Sequence, residues 1–333
     1  MRYTVGEMTV LRNLLALGLM AFTVSGVHAE RFLFQRGTSL YLGERDGKET
    51  RKLLDIGSGS GRLWSVSPDG RRVVWLKPLS GGDEGSLEAR PIAVFLTDIT
   101  GRRQKRLFST DALLDRQGRK ITVISPIGAE TTTTTLADWA PVSLSWSADG
   151  RTLYLGCTRV GGSGVMTVTV DGQAGTAIVD ADGNWKCLAA ITQPDARSTY
   201  LAGVSVGRDS TAPLLLCNLA LGNAWTPVPP TGGTPPYVAA LWPALSPDGK
   251  SVAFTSVPRG LWLAEAQGTK LKRLVSGEVL RPRFAEDGKT LFFLAPRPTT
   301  TERQAYDLYE LTPGSATPRV VLSDVDWFDV VPD

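Results

Sequence analysis

Residues 64–76 read Trp64-Ser65-Val66-Ser67-Pro68-Asp69-Gly70-Arg71-Arg72-Val73-Val74-Trp75-Leu76. An apolar stretch runs into a tight turn and leaves it as β-branched and aromatic residues. Asp-Gly suits that turn, because glycine accepts positive φ and the aspartate can bond backbone close by. The flanks are those of buried strands. The pattern recurs as LSWSADGRTLYLG from Leu144, PALSPDGKSVAFT from Pro243 and PRFAEDGKTLFFL from Pro282. A degraded copy, ITQPDARSTYLAG, starts at Ile191, and the chain ends on WFDVVPD, the first half of the unit.

A second hairpin follows the copies, as in LWLAEAQGTKLKRLV from Leu261 and YDLYELTPGSATPRVVL from Tyr306. Two hairpins make four strands, which is one propeller blade. The turn aspartates are Asp69, Asp149, Asp195, Asp248, Asp287 and Asp333, at intervals of 80, 46, 53, 39 and 46 residues. Propeller blades run to about 40–50 residues. The long first interval holds either two blades or one blade with an insertion at about 111–140. Its only further strand-like pair is KITVIS and TTTTTLA, so one blade with an insertion is preferred. The expectation is an all-β, six-bladed β-propeller of four-stranded blades, with seven blades as the alternative. The C-terminal DWFDVVPD should supply the innermost strand of the blade that begins RFLFQRG, closing the ring and hiding sheet edges.

The Ser67-Pro68-Asp69-Gly70 and Ser246-Pro247-Asp248-Gly249 units resemble the WD40-like (PD40) repeat of TolB-like propellers. The resemblance covers nearly the whole chain after its first segment and implies the fold, not a function. TolB itself carries a further N-terminal domain, whereas here the first blade begins almost at once, so the Tol–Pal role is not carried over.

That first segment reads as a signal peptide. Arg2 and Arg12 precede the short apolar run Leu14 to Val24, and Val27-His28-Ala29 offers a cleavage site. Residues 1–29 are therefore assigned to a signal, 30–333 to a single propeller domain, and the location to the periplasm or the exterior. No integral membrane segment is expected after cleavage. His28 is the only histidine. Its place in the signal excludes Ser-His-Asp triads, His-paired cysteines and imidazole-ligated metals from the mature chain. No catalytic residue, cofactor or metal is assigned. Asp180-Ala181-Asp182-Gly183-Asn184 has the oxygens of half a calcium loop, but Ile191 stands where the later glutamate belongs, and the stretch reads as a turn. Cys157, Cys187 and Cys217 read as buried thiols. A net charge of +3 gives no case for a nucleic-acid partner. The basic run Arg102, Arg103, Lys105 and Arg106 falls on an outermost hairpin, where charge deters edge pairing.

Counting back from each turn aspartate orders the inner strands. Three and five residues back, the side chains are mostly large and apolar, and they should form the inter-blade core. Four residues back lie Ser65, Ser145, Ile191, Ala244, Arg283 and Asp329, facing the axis. Arg283 and Asp329 occupy equal depths in adjacent blades and are expected to pair across the closure seam. Arg62, Arg281, Asp326 and Trp327, with Trp242 and Tyr237, should ring a channel mouth on the loop-rich face. The leading functional expectation is a non-enzymatic binding or scaffolding propeller that recognises a protein, peptide or glycan there. The alternative is a histidine-free propeller enzyme or sugar-acting protein using carboxylates, with or without calcium, at the central mouth.

Overall fold

The computed structural model describes residues 30–47, 50–57, 63–78, 92–109, 121–125, 128–132, 140–159, 162–171, 174–178, 200–204, 214–218, 223–225, 239–257, 259–267, 270–298, 305–312, 314–315 and 317–332. The proposed signal, Arg62, Asp195, Tyr237, the Asp180–Asn184 stretch and Cys187 lie outside them, as do the side chains of Cys157 and Cys217.

All regular structure among the described residues is β, arranged in six sheets. Sheet 1 holds β1 (Arg31–Arg36), β2 (Ser39–Glu44) and β3 (Arg51–Asp55). Sheet 2 holds β4 (Trp64–Val66), β5 (Arg72–Pro78), β6 (Ile92–Asp98) and β7 (Lys105–Ser109). A hairpin of β8 (Ile121–Ser125) and β9 (Gly128–Thr132) precedes sheet 3, which is built on β10 (Ala140–Trp146), β11 (Thr152–Arg159), β12 (Gly162–Thr169) and β13 (Ala174–Ile178). Sheet 4 holds β14 (Tyr200–Val204), β15 (Leu214–Asn218) and β16 (Asn223–Trp225). Sheet 5 holds β17 (Ala239–Leu245), β18 (Ser251–Val257), β19 (Gly260–Glu265) and β20 (Leu271–Ser276). Sheet 6 holds β21 (Leu280–Phe284), β22 (Leu291–Pro296), β23 (Tyr306–Leu311) and β24 (Arg319–Leu322). The last strand, β25 (Trp327–Val331), returns to sheet 1 and lies beside β1 in the order β25-β1-β2-β3.

The ring therefore closes within one sheet, Leu33 opposite Asp329 and Arg31 opposite Val331. The strands β4, β10, β17, β21 and β25 surround the axis, with β25 touching both β21 and β4. The core lies between sheets rather than on one face of any of them. In β5, Val73 and Trp75 pack toward sheet 1, while Val74 and Leu76 pack toward sheet 3. In β22, Phe292 and Leu294 face sheet 1, while Leu291 and Phe293 face sheet 5. This double burial is why the repeat flanks run apolar without alternating.

Two expectations need correction. Five sheets contain a four-stranded antiparallel meander, but sheet 4 shows three strands among the described residues. Its β14 follows Asp195 as β5 follows Asp69, so β14–β16 take the second to fourth places. That copy is also the degraded one, with Gln193 and Ala196 where the others carry Ser or Ala and Gly. The inserted segment, moreover, pairs KITVIS with a strand that begins before TTTTTLA and, among the described residues, takes in only its first two threonines. Its second strand is Gly128–Thr132, and the hairpin joins sheet 3 through parallel pairing of β8 with β13. Sheet 3 thus reaches six strands, and the long interval forms no separate sheet among the described residues. In sheet 2 the outermost strand is β7, and Arg102, Arg103, Lys105 and Arg106 are exposed at this edge.

The turn itself repeats atom for atom. Gly70 N donates to Ser67 O, Gly150 N to Ser147 O, Gly249 N to Ser246 O and Gly288 N to Ala285 O, at 2.9–3.0 Å. Each aspartate Oδ1 accepts from the backbone N–H two residues on, at 2.7–3.2 Å. In three copies the preceding serine hydroxyl also bonds the aspartate and accepts a backbone N–H from across the turn. In the fourth, Ala285 has no hydroxyl, and Thr290 Oγ1 bonds Asp287 from the other side at 2.7 Å.

These bonds hold all four carboxyls below the ordinary value of 3.8. For Asp149 and Asp248 the serine hydroxyl is the leading cause. For Asp69 and Asp287 burial acts in the opposite sense and is outweighed by the hydrogen bonds. An unfolded chain then binds more protons than the folded one below about pH 4, so this stabilisation is complete above that value and is lost as pH falls through the lowered native pKa values. The double variant S147A/S246A is expected to lose about 2 kcal/mol at pH 7. Urea unfolding should show that loss shrinking at pH 3, without vanishing, because the serine–backbone bonds do not titrate. An equal loss at both pH values would contradict the account.

Candidate functional site

The axis is where equivalent residues of different sheets converge, and three of its inner strands, β10, β17 and β21, carry a break in register, the last two with a residue at positive φ. Leu241-Trp242-Pro243-Ala244 and Leu280-Arg281-Pro282-Arg283 occupy the same place in the repeat. Both carry a break in register, and Trp242 and Arg281 take φ of 49° and 47°. A residue before proline normally stays extended, and positive φ costs a side chain about 1–2 kcal/mol. Strain repeated at adjacent inner strands marks a place held by its surroundings.

What holds Arg281 is aromatic. Its guanidinium lies 3.9 Å from the Trp327 ring centroid and 5.5 Å from that of Trp64. Trp242 meets Trp327 edge-on at 5.1 Å. Arg281 and Trp327 are each 4% exposed. The open mouth expected from Arg281 and Trp327 is therefore corrected to a buried stack, because the bulge folds the arginine inward onto the rings. Asp326 braces the backbone instead: its Oδ2 accepts Gly37 N at 2.7 Å and holds the β1–β2 turn. Trp242 remains half-buried beside Leu241, which is exposed.

One layer deeper, Asp329 is a hub. Its Oδ1 accepts Arg283 Nε at 3.1 Å; its Oδ2 accepts Val66 N and Ser65 Oγ, both at 3.3 Å, and lies 3.9 Å from Arg281 Nη2. Sheets 1, 2 and 6 thus meet on one carboxylate at the seam. Ser65, Ser145 and Ala244 complete the described part of this layer, all buried. Small side chains leave room beside the ion pair.

That room is a cavity of about 380 Å³ that ends on Arg283 and Asp329. Trp146, Leu245 and Phe284 form its wall, and Pro68, Ala148, Pro247, Glu286 and Pro332 its rim. Each rim residue directly precedes an aspartate of the repeat. The cavity therefore lies at the turn end of the propeller, opposite the end assigned to binding from the sequence. The signal that points to it is the residue before each turn aspartate, read as a ring; loop length points the other way.

A second ionic cluster fastens the outer seam. Glu310, in β23 and 2% exposed, is gripped by Arg45, which follows β2, through Nε at 3.0 Å and through Nη2. Arg319 adds bonds of 3.1 and 2.8 Å to the same carboxylate. Arg45 also pairs with Glu30 at 3.1 Å. Burial is the main influence raising the Glu30 carboxyl, with Asp287, Glu310 and Glu286 adding to it and Arg45 opposing.

No protein-family model and no curated protein matches the sequence. Solved structures match the fold. TolB from Acinetobacter baumannii aligns with a TM-score of 0.64 at 11% identity, over 97% of this chain and 71% of that one. A chain of a nidogen/laminin complex aligns with 0.59 at 10% identity, over 91% and 98%. A TolB-type protein from Agrobacterium tumefaciens aligns with 0.54 at 10%, over 92% and 99%.

Proposed function

Because the chain has the fold of TolB-like repeat propellers, we propose that it is a non-enzymatic binding propeller that takes a segment of a partner protein into the axial cavity at its turn end. The observation that carries this reading is the cavity itself, with an aromatic and aliphatic wall, a proline-rich rim and an arginine–aspartate floor. Clefts of about 300–1,000 Å³ lined by apolar groups with few convergent polar ones are typical ligand sites. The acids argue for binding over hydrolysis. Asp329 is committed to two arginines, and Glu286 is exposed at the rim. Among the described residues no group of three His, Cys, Asp or Glu side chains is placed to hold a metal ion. One of the fold matches, in the nidogen/laminin complex, is a propeller solved with a protein partner.

The leader-like residues 1–29 support a site of action in the periplasm or outside the cell. Among the described residues no helix is long and apolar enough to cross a membrane.

A photo-cross-linking residue placed at Ala148 should capture a protein from an envelope extract. The same residue at Leu241, exposed at the opposite end, should capture little. Capture at Leu241 alone would return the binding face to the loop-rich end.

A further inference from the structure

The outermost strands carry a row of positive charge that the ring brings to one height. β3 begins Arg51-Lys52, β7 begins Lys105-Arg106, β20 holds Lys272-Arg273 and β24 begins Arg319-Val320. Their distance from the next turn aspartate varies, so counting along the sequence does not reveal the row. Strand register does. Arg51 stands level with Leu42, Leu33 and Asp329, and Lys105 with Leu96, Val74 and Ser65. Lys272 stands level with Leu263, Ala253 and Ala244, and Arg319 with Glu310, Phe292 and Arg283. All four lie at the depth of the axial layer and three strands farther out, about 14 Å by strand spacing. Every Lys and Arg of the row is exposed. Sheets 5, 6, 1 and 2 follow one another round the axis, so the row covers one side of the propeller. Sheets 3 and 4 interrupt it, because β8, β9, β13 and β16 contain no Lys or Arg.

Asp55 is the one acid in these four edge strands, and it meets Lys52 in an exposed contact of 3.8 Å. Beside the row, Glu265 pairs with Lys270, Asp98 holds its own turn and lies 4.0 Å from Arg103, and Glu310 takes up Arg319. Glu44 and Asp46 oppose the row at the end of β2. Lys105, Arg106 and Lys272 meet no acid among the described residues. Charge that only deters edge pairing works with either sign and at any height. One sign at one height suits a linear polyanion. We propose that this belt binds an acidic polysaccharide, a linear chain with a carboxylate on each sugar. The belt is separate from the axial cavity and does not depend on what that cavity binds. Other anionic partners fit less well. A flat membrane touches only part of a convex wall. Among the described residues the exposed large apolar side chains are Leu241 and Val320. The wall therefore lacks both the aromatic platforms that hold single-stranded nucleic acid and the apolar centre of a protein interface.

The probe is fluorescein-labelled alginate, titrated with the full chain and followed by anisotropy at low salt. Labelled dextran is the neutral control. The expected result is saturable binding of alginate alone, with log affinity falling linearly against log salt, as counterion release requires. The double variants Lys105→Glu/Arg106→Glu and Lys272→Glu/Arg273→Glu should each weaken binding about tenfold or more. Should either fail to unfold cooperatively, the corresponding Gln pair carries the test. Arg151→Glu/Lys289→Glu makes the same change of charge at the turn end and should weaken binding about twofold at most, because salt screens charges away from the belt. Absent alginate binding, equal binding of dextran, or an equal loss in the turn-end variant would overturn the proposal. So would tighter, belt-dependent binding of polyglutamate, oligothymidylate or phosphatidylglycerol vesicles, which would assign the belt to an acidic protein, a nucleic acid or a membrane. Protein capture at Ala148 is a separate readout: its failure would remove the cavity site and leave the belt.

Discussion

Replacing Gly70 by alanine is expected to destabilise the protein by about 3 kcal/mol. Two effects add. Gly70 has a φ of 63°, a region that costs an alanine about 1–2 kcal/mol. A Cβ there would also stand 2.1 Å from the carbonyl oxygen of Pro332. That oxygen belongs to the backbone just after β25, so relief requires the closing strand to shift, at a further cost of about 1–3 kcal/mol. The comparison separates the two effects. Gly37 has a φ of 58° with nothing within 4 Å, and Gly288 has a φ of 65° with the Pro247 ring at ordinary contact distance. Alanine at either should cost only about 1–2 kcal/mol by urea unfolding. Equal losses at all three positions would mean that the turn of sheet 2 does not press on the C-terminal strand.

The Glu310→Ala variant should lose about 3 kcal/mol, because removal of one partner leaves buried charge and donors without a match. The value belongs at the low end of the range for buried pairs, since the Arg45 and Arg319 side chains are 32% and 66% exposed and can turn to water. The loss reports ring closure, because Arg45 belongs to sheet 1 and Glu310 to sheet 6. A double-mutant cycle with Arg45→Met should give a coupling of about 1 kcal/mol or more. Additive single losses would reduce the cluster to two unrelated surface contacts.

The two seam clusters differ in how far the sequence reveals them. Arg283 and Asp329 stand out because a repeat permits counting, and both break a layer otherwise made of Ser, Ala and Ile. Their proximity follows from register alone once β25 is placed beside β1. Glu310, Arg45 and Arg319 follow no repeat position. Glu310 and Arg319 are register partners within sheet 6, and Arg45, just after β2, reaches them because closure brings sheets 1 and 6 side by side, a relation that periodicity does not carry. The turn aspartates are legible for the same reason as Arg283. The exchange of serine for alanine at Ala285, with Thr290 taking over the bond to Asp287, is a pairing visible only with the turn in three dimensions.

The site is harder to place than the fold. Arg281 and Trp327 look like rim residues when read as an arginine and a tryptophan at a strand entrance. Leu280-Arg281-Pro282 hides a register break and a positive φ that turn the guanidinium onto Trp327. Buried there, the pair closes the layer above Asp329. The space left open lies on the other side of that carboxylate, among small and proline residues that carry no chemical signature by themselves. Pro68, Pro247 and Pro332 attract notice as turn formers, not as the rim of a cavity.

Where the partner is captured tests the account most directly. Cross-linkers at Ala148 and Leu241 sample the two ends of the axis, and Ala244→Trp fills the cavity between its wall and floor. The account predicts capture of the same protein from Ala148, little from Leu241, and loss of the Ala148 product when the introduced indole occupies the cavity in a variant that still unfolds cooperatively. An Ala148 product that survives the filled cavity, or a product formed only from Leu241, would contradict it.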